Sequence, residues 1–377
     1  MNENNIKIIC ALPVLGQPRN SKRIKMLMKA GFQVDAVSFV RKYHKGRLPD
    51  CHVDILGQIE HGRFIVRFFK MLKMLPKLRK KVKKYDIIYS FGIDMAILCR
   101  LSSLGLKKKI VIEIGDIRSI QVEKSFKGKV VRFLDKLIIK VSKLLVVTSP
   151  KYAEEYYNKW LEVYPKVLVL ENKLEQAISL VPKTNESLAT DLDRLTIGYF
   201  GLLRCKKTIS ILHALATNYL DTVQIFLAGF PMDRDKDFDD FLALKNVEYF
   251  GEYKSPQDLD RIYSKVDVVW AVYPFPTNHD QNWKWARTNR FYESCFFKKP
   301  MIVLENSADG NIVSKLEIGM TIEQSDDKET AKLIWETTKK KWGYWHKNIS
   351  KLPEHIYLYT NEGELLKKAI LEVVHAG

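Results

Sequence analysis

RLTIGYFGLLRCKKTISILHALATNYLDTVQIFLAG, residues 194–229, decides the architecture. RLTIGYFG (194–201) and VQIFLAG (223–229) are apolar on both parities, as strands covered on two faces must be. Between them lies a glycine turn that enters a helical stretch. A strand, a helix and a second such strand form the unit from which parallel sheets are wound. The alternation continues through VEYFGEY (247–253), VDVVWAVY (266–273), KPMIVLE (299–305) and IGMTIE (318–323).

The same grammar fills the other half. IKIICALP (6–13), VDAVSFV (34–40), HVDILGQI (52–59), DIIYSFG (86–92), KIVIEIGD (109–116), LLVVTSP (144–150) and VLVLENK (167–173) read as strands with helical patterns between most of them. LEQAISLVPKTNESLATDLD (174–193) holds a proline and a polar cluster without apolar period, and marks a linker. The expectation is an α/β chain of two Rossmann-like, doubly wound domains facing a central cleft. Residues 1–180 form the acceptor- and membrane-facing domain, 190–350 the nucleotide-binding domain, and 355–377 a C-terminal helix packing back on the first. Ser255-Pro256-Gln257-Asp258 predicts a helix start, capped by Ser255.

Charge separates the halves. The chain of 377 residues carries 62 Lys+Arg against 44 Asp+Glu, a net charge of +18. Residues 1–180 hold 36 cations against 16 acids, and the remainder 26 against 28, so the excess lies entirely in the first half. Such a half meets a polyanion: anionic lipid, nucleic acid or a phosphorylated acceptor. Arg63 to Lys84 contains ten Lys/Arg and no acid, with Phe64, Phe68, Met71, Leu72, Leu75, Leu78 and Val82 at helical spacing. This is the pattern of an interfacial helix on an anionic membrane surface, kinked at Pro76, against the plainer reading of a covering helix with a solvated basic side. Lys124 to Lys143, with seven cations, reads as an ordinary packing helix. Five scattered cysteines (Cys10, Cys51, Cys99, Cys205, Cys295) form no C-x-x-C pair, which excludes a disulfide framework or zinc site and fits a reducing cytoplasm. With no export signal and no apolar run of the roughly 18–20 residues a bilayer span requires, the chain is expected to be cytoplasmic and peripheral at the inner face of the cell membrane.

Two segments carry the chemistry of an anion site. Gly198-Tyr199-Phe200-Gly201-Leu202-Leu203-Arg204-Cys205-Lys206-Lys207 is a strand-to-helix turn with cations, although basic βα turns are common without a ligand. Trp283 to Ser294 places Thr288, Asn289 and Arg290 at a helix start and Glu293 within the helix. Glu293 can accept ribose hydroxyls; the bland alternative is a surface pair with Arg290 or Arg287. At the end of KIVIEIGD, Asp116 is the first choice for an acid/base group, and Asp94, after DIIYSFG, the second; a helix N-cap is the competing role for each. Asn278, His279 and Asp280 form a loop that can reach a sugar. Asp233, Asp235 and Asp237 alternate as in a calcium loop, but Phe238 and Leu244 replace its glycine and closing glutamate, and a helix start explains them. The aromatic density from Trp270 to Phe297 fits either a sugar or base platform or a core.

The succession IGYFG…Lys207, FLAGF, VEYFGEY, LDRIYSKVDVVWAVYP and NRFYESCFFKKPMIV resembles the C-terminal half of glycosyltransferases with the B fold. Within that fold it is similar to the large family of bacterial polysaccharide and lipid-linked oligosaccharide transferases. The resemblance implies a donor site in which Gly201, Arg204 and Lys207 hold the diphosphate and Gly251 to Tyr253 the base. It further assigns the phosphates to the amides of Thr288, Asn289 and Arg290, the ribose to Glu293, and the acceptor to the loop around Gly16. Family members commonly have Arg directly after the turn glycine and a second Glu eight positions before the ribose Glu; Leu202 and Trp285 stand there in this chain, which leaves retention or inversion open. The function implied is transfer of a hexosyl or related sugar from a nucleotide diphosphate sugar to a glycan or lipid-linked acceptor, with no cofactor or metal. A sugar-nucleotide epimerase of the same fold and a non-enzymatic polyanion binder are the alternatives, and no nucleic-acid motif is present.

Overall fold

The computed structural model describes residues 6–40, 48–59, 70–175, 194–232, 234–272, 275 and 281–375. The chain divides into two compact units, Met1–Asn172 with Asn361–Gly377, and Lys173–Thr360. Most of the linker segment 174–193 lies outside the described residues.

The first unit holds a parallel sheet in the order β3-β2-β1-β4-β5-β6-β7. Its strands are β1 (Lys7–Leu12), β2 (Gln33–Val40), β3 (Val53–Gln58), β4 (Ile87–Phe91), β5 (Lys109–Ile114), β6 (Leu144–Val147) and β7 (Val167–Val169). The second unit repeats the plan as β10-β9-β8-β11-β12-β13. These are β8 (Leu195–Leu203), β9 (Val223–Pro231), β10 (Val247–Tyr249), β11 (Val268–Trp270), β12 (Met301–Leu304) and β13 (Gly319–Ile322). Every strand expected from the sequence is present, and the doubly wound α/β expectation is borne out.

Parity explains why these strands lack polar alternation. In the second sheet Ile197, Tyr199, Ile225, Leu227, Trp270 and Ile302 pack into one core. Their neighbours Phe200, Phe226, Ala228, Val269, Met301 and Val303 pack into the core on the other face. Helices cover both: α5 (Lys206–Asn218) buries Ile211, Leu212 and Leu215, and the long α8 (Asp327–Ser350) buries Ala331 and Ile334 on the same side. Trp270 is fully buried and its indole N–H donates to Thr208 at 3.2 Å. Trp285, Phe291 and Tyr292 are buried as well, so much of the aromatic density singled out in the sequence is core.

In the first unit, α1 (Pro18–Lys29) starts with proline in its first turn and buries Ile24 and Leu27 against the sheet. The C-terminal helix α9 (Glu362–His375) presents Leu366, Ile370 and Val373 to this same core, and Lys109 donates to the Val374 carbonyl at 2.7 Å. Truncating a buried leucine such as Leu366 to alanine costs about 2–5 kcal/mol.

Several local expectations need correction. Residues 255–258 form a turn, and the helix Leu259–Tyr263 starts after Asp258, whose carboxylate accepts from the Lys254 amide; Ser255 is not the cap. The helix around Pro76 is not one kinked rod. Its described part breaks at Met74, and α2 (Leu75–Val82) begins there with Pro76 in its first turn, where a missing N–H does no harm. Its cations serve this chain: Lys77 donates to the Ile55 carbonyl, Arg79 to the Ser102 and Leu104 carbonyls, and Lys81 pairs with Asp54 at 2.5 Å. Residues 63–69 lie outside the described residues.

α3 (Ile93–Ser102) follows β4, and α4 (Phe126–Val141) follows β5 after the short helix Ser119–Val122. α4 is capped by Ser125, whose hydroxyl accepts from the Gly128 amide. It buries Asp135, whose carboxylate accepts from Gln121 at 2.6 Å and Tyr156 at 2.8 Å. Burial dominates over these donors and over the nearby Arg118, and raises the Asp135 pKa from 3.8 to about 6. A carboxyl with a raised native pKa binds its proton more tightly when folded, so its ionisation lowers stability as pH rises from about 4 through about 6. Asp135→Asn removes that dependence. Urea titrations should therefore show the variant's stability relative to the parent rising by about 3 kcal/mol over this interval, and a pH-independent difference would contradict the assignment.

Candidate active site

Ligands of open parallel sheets bind outside the carboxyl ends of the strands, where the winding reverses. The reversals here fall between β8 and β11, and between β1 and β4.

At the first of these, Gly201 pairs with Gly229 on β9, and the Gly229 amide donates to the Gly251 carbonyl just after β10 at 2.8 Å. Three glycines thus line adjacent strand ends. All have positive φ: Gly201 +104°, Gly229 +141° and Gly251 +89°. A Cβ on Gly229 would stand 1.8 Å from the Gly201 carbonyl oxygen, so the two strands meet too closely for any side chain.

Against this edge lies α6 (Asn289–Phe296). Its N-cap Thr288 accepts from the Phe291 amide, while the Thr288 amide and hydroxyl donate to Asp309 at 3.1 and 2.7 Å. Asp309 is buried in the first turn of α7 (Ala308–Leu316), and it fixes where α6 begins. Arg290 folds back from α6 to the glycine edge. Its Nη1 donates to the Phe200 carbonyl at 2.7 Å, and a Cβ on Gly201 would stand 2.5 Å from the same atom. Its Nε donates to Glu293 at 2.8 Å, and Tyr263 donates to the same Glu293 oxygen at 2.8 Å. Glu293 is only 3% exposed, so the pair with Arg290 is a buried one and the surface alternative is corrected. Burial disfavours the Arg290 cation, but Glu293 with Tyr253 and Tyr263 around it more than offsets this and holds its pKa above the ordinary value. Tyr253, partly buried, has its phenol pushed up by burial, with Arg290 opposing and Glu293 adding. Gly201, Tyr253, Arg290 and Glu293 therefore converge.

Arg204 and Lys207 follow the same turn and make other contacts. Arg204 lines a cavity of about 280 Å³ with Lys206, His213 and Asp235. Lys206 pairs with Asp235 at 2.8 Å, and Asp235 caps the helix Lys236–Leu242, which accounts for this acid of the aspartate cluster. Lys207 donates to the Ser325 carbonyl and pairs with Asp327, both at 2.5 Å. Arg290, distant in sequence, reaches the glycine turn through space. Asn278, His279 and Asp280 lie outside the described residues.

The second reversal holds a cavity of about 220 Å³ lined by Val14, Arg19, Asp94, Gly115, Asp116 and Arg118 among others. Gly16 is buried in the turn after β1, while its neighbours Val14 and Gln17 face the cavity. The Arg19 guanidinium lies over Gly115, where a Cβ would stand 1.5 Å from Nη1, and it approaches Asp116 at 3.6 Å. Asp116 is 62% exposed, and the helix that follows it is capped at Arg118, so Asp116 is not an N-cap. Asp94 sits inside the first turn of α3, capped at Gly92, and Arg118 holds it with two bonds of 2.8 and 2.9 Å. Beneath them Glu113 is fully buried, bound by Arg23 at 2.8 Å and by Tyr89 at 2.5 Å, and is structural. Among the described residues no group of His, Cys, Asp and Glu is placed to hold a metal ion.

This architecture is the glycosyltransferase B fold. Sucrose-phosphate synthase from Thermosynechococcus elongatus superposes with a TM-score of 0.72 at 14% identity, over 98% of this chain and all of that one. HepE from Anabaena, solved in complex with UDP, gives 0.67 at 13% identity over 99% of this chain and all of that one. In sequence, the succinoglycan biosynthesis protein ExoL of Rhizobium meliloti is 27% identical over 350 residues, 88% of this chain and 85% of the relative. No protein-family model matches the chain.

The glycine edge and the buried pair make different demands on substitution. Gly229→Ala should destabilise the second unit far more than Gly201→Ala, because it drives a Cβ into backbone rather than into a movable guanidinium. Arg290→Met leaves the Glu293 carboxylate buried without its cation and should cost about 3–5 kcal/mol in chemical denaturation; a loss below about 1 kcal/mol would show that the pair is solvated, as exposed pairs are.

Proposed function

We infer that the protein is a glycosyltransferase, moving a sugar from a nucleotide diphosphate sugar to a glycan or lipid-linked acceptor in bacterial-type surface polysaccharide synthesis. The observation that carries this reading is the convergence of Gly201, Tyr253, Arg290 and Glu293 at the reversal of the second sheet. A side-chain-free strand edge lets a diphosphate come close to backbone amides, and the start of α6 adds partial positive charge. Arg290 is held in place by Glu293 before any ligand arrives, so little is lost in ordering it. The ribose lies toward Glu293 and the base toward Gly251 and Tyr253. Lys207, which donates to the Ser325 carbonyl and pairs with Asp327, is the further cation for the diphosphate. The UDP bound by HepE and the pathway named for ExoL support a nucleotide-sugar donor and a polysaccharide product.

In the first unit Asp116 is the group that takes the acceptor proton, being a solvent-reached carboxylate at a strand end beside Arg19. Asp94 instead neutralises and orients Arg118. Stabilisation of the leaving diphosphate by Arg290 and helix amides asks for no resident cofactor or metal. The basic first unit supports a position at the inner face of the cell membrane, where a lipid-linked acceptor would be met. No described helix is long and apolar enough to cross it. An epimerase would share the fold but has no use for the basic excess, and a bare polyanion binder has no use for the glycine edge.

Calorimetric titration with uridine and guanosine diphosphate sugars tests the donor site. One nucleotide class should bind, with affinity falling at least about tenfold in Glu293→Gln, as expected for loss of a charge-assisted hydrogen bond. Absence of binding to every donor by folded protein contradicts the reading. With a competent acceptor, Asp116→Asn should lower kcat by about 10²–10⁴ while donor affinity holds; an unchanged kcat would remove Asp116 from the mechanism.

A further inference from the structure

The helix read from sequence as ordinary packing is turned the other way. In α4, Phe126, Val130, Phe133, Leu134, Leu137 and Val141 recur at i, i+4, i+7, i+8, i+11 and i+15, a single helical stripe. That stripe faces solvent: Phe126 is 81% exposed, Phe133 61% and Leu137 47%. The face packed on the unit consists of Gly128, Asp135, Ile138 and Ile139. Lys127 on one side and Lys129, Lys136 and Lys140 on the other flank the stripe, Arg132 turns away to the Gln121 and Glu123 carbonyls, and the acidic residue of the helix, Asp135, is buried. Beside it runs an apolar trough of about 510 Å³, walled by Ile97, Leu98 and Leu101 of α3 and by Val130 and Leu134 of α4. The trough ends at Asp94 and Arg118, which also line the cavity at the strand ends of this unit.

We propose that the outward stripe of α4 is the docking face for an anionic bilayer, with the trough between α3 and α4 admitting hydrocarbon from it. Aromatic and aliphatic side chains in the acyl boundary with lysines on both flanks at headgroup level satisfy both halves of this helix at once. A second copy of the chain does not, because a two-fold contact would set the same cations against one another. Nucleic acid would match the cations and leave the stripe in water. Lys77, Arg79 and Lys81 of α2 are engaged within the chain, whereas Met71 and Leu72 just before it line the same trough, so α4 adds an outward apolar face beside the segment 63–84. The proposal rests on the transferase reading only for the meaning of the trough's end, where a lipid-borne acceptor would present its head to Asp94, Arg118 and Asp116.

The test is flotation of the full-length protein with phosphatidylcholine vesicles, with and without phosphatidylglycerol. The parent should float with the anionic vesicles, and the triple variant Phe126→Ser, Phe133→Ser, Leu137→Ser should lose more than about tenfold in partitioning while binding its nucleotide sugar normally. In a separate variant, Phe133→Trp, fluorescence should shift to the blue on anionic vesicles and be quenched by brominated acyl chains. Unchanged flotation of the triple variant, a parent that stays with the soluble fraction, or an unshifted tryptophan overturns the proposal. So does a parent dimer that the triple variant converts to monomer, which would make the stripe a contact between copies. Failure to bind any nucleotide sugar with flotation intact counts against the transferase reading and leaves the docking face standing.

Discussion

A carboxylate as deeply buried as Glu293 persists only with a cation and further donors around it, because leaving it unpaired costs several kcal/mol. Arg290 and Tyr263 supply these, and in doing so they fix the site. Arg290 cannot satisfy Glu293 and the Phe200 carbonyl together unless α6 starts where Asp309 holds Thr288, and unless Gly201 has no side chain. The cap, the glycine edge and the aromatic wall of Phe200, Tyr263 and Phe297 are therefore one arrangement. Tyr263 stacks on Phe297 at 4.7 Å and meets Phe200 at 4.9 Å, which keeps its hydroxyl aimed at the carboxylate.

The first unit solves the same problem with different parts. Arg23 from α1 reaches Glu113 on β5, its Nη2 also donates to the Leu170 carbonyl beyond β7, and its Nη1 turns to the Met26 sulfur. Tyr89 completes the carboxylate's partners, and burial together with Glu113 holds its own proton firmly. Above this buried pair the cavity surface is ionic and partly open, with Arg19, Asp94, Asp116 and Arg118. Each sheet thus ends in a rigid, internally neutralised layer that carries a more exposed one, which is how functional groups are held without being buried themselves.

Strands were legible because a parallel sheet covered on two faces writes itself as short apolar runs of both parities, and every such run proved a strand. The candidate site was legible in part. Glu293 and Arg290 were visible as an i, i+3 pair, but a surface pair and a buried pair share that spacing; the flanking Phe291, Tyr292, Cys295 and Phe296 were the available sign of burial. The approach of Arg290 to Gly201 was not legible, since it depends on how α6 packs against the strand end. Asp309 carried no sequence signal, since its role depends on two helix starts meeting. The stripe of α4 was written as plainly as any core helix, and periodicity alone does not say whether an apolar face looks inward or outward.

Hydrogen exchange of the full chain with and without a nucleotide diphosphate sugar tests the central claim most directly. Peptides covering Tyr199 to Leu203, Gly251 to Tyr253 and Thr288 to Phe291 should slow together on binding, while peptides around His213 and Asp240 remain as they were. Protection confined to the latter group, or to the first unit, would place the donor elsewhere and contradict the account.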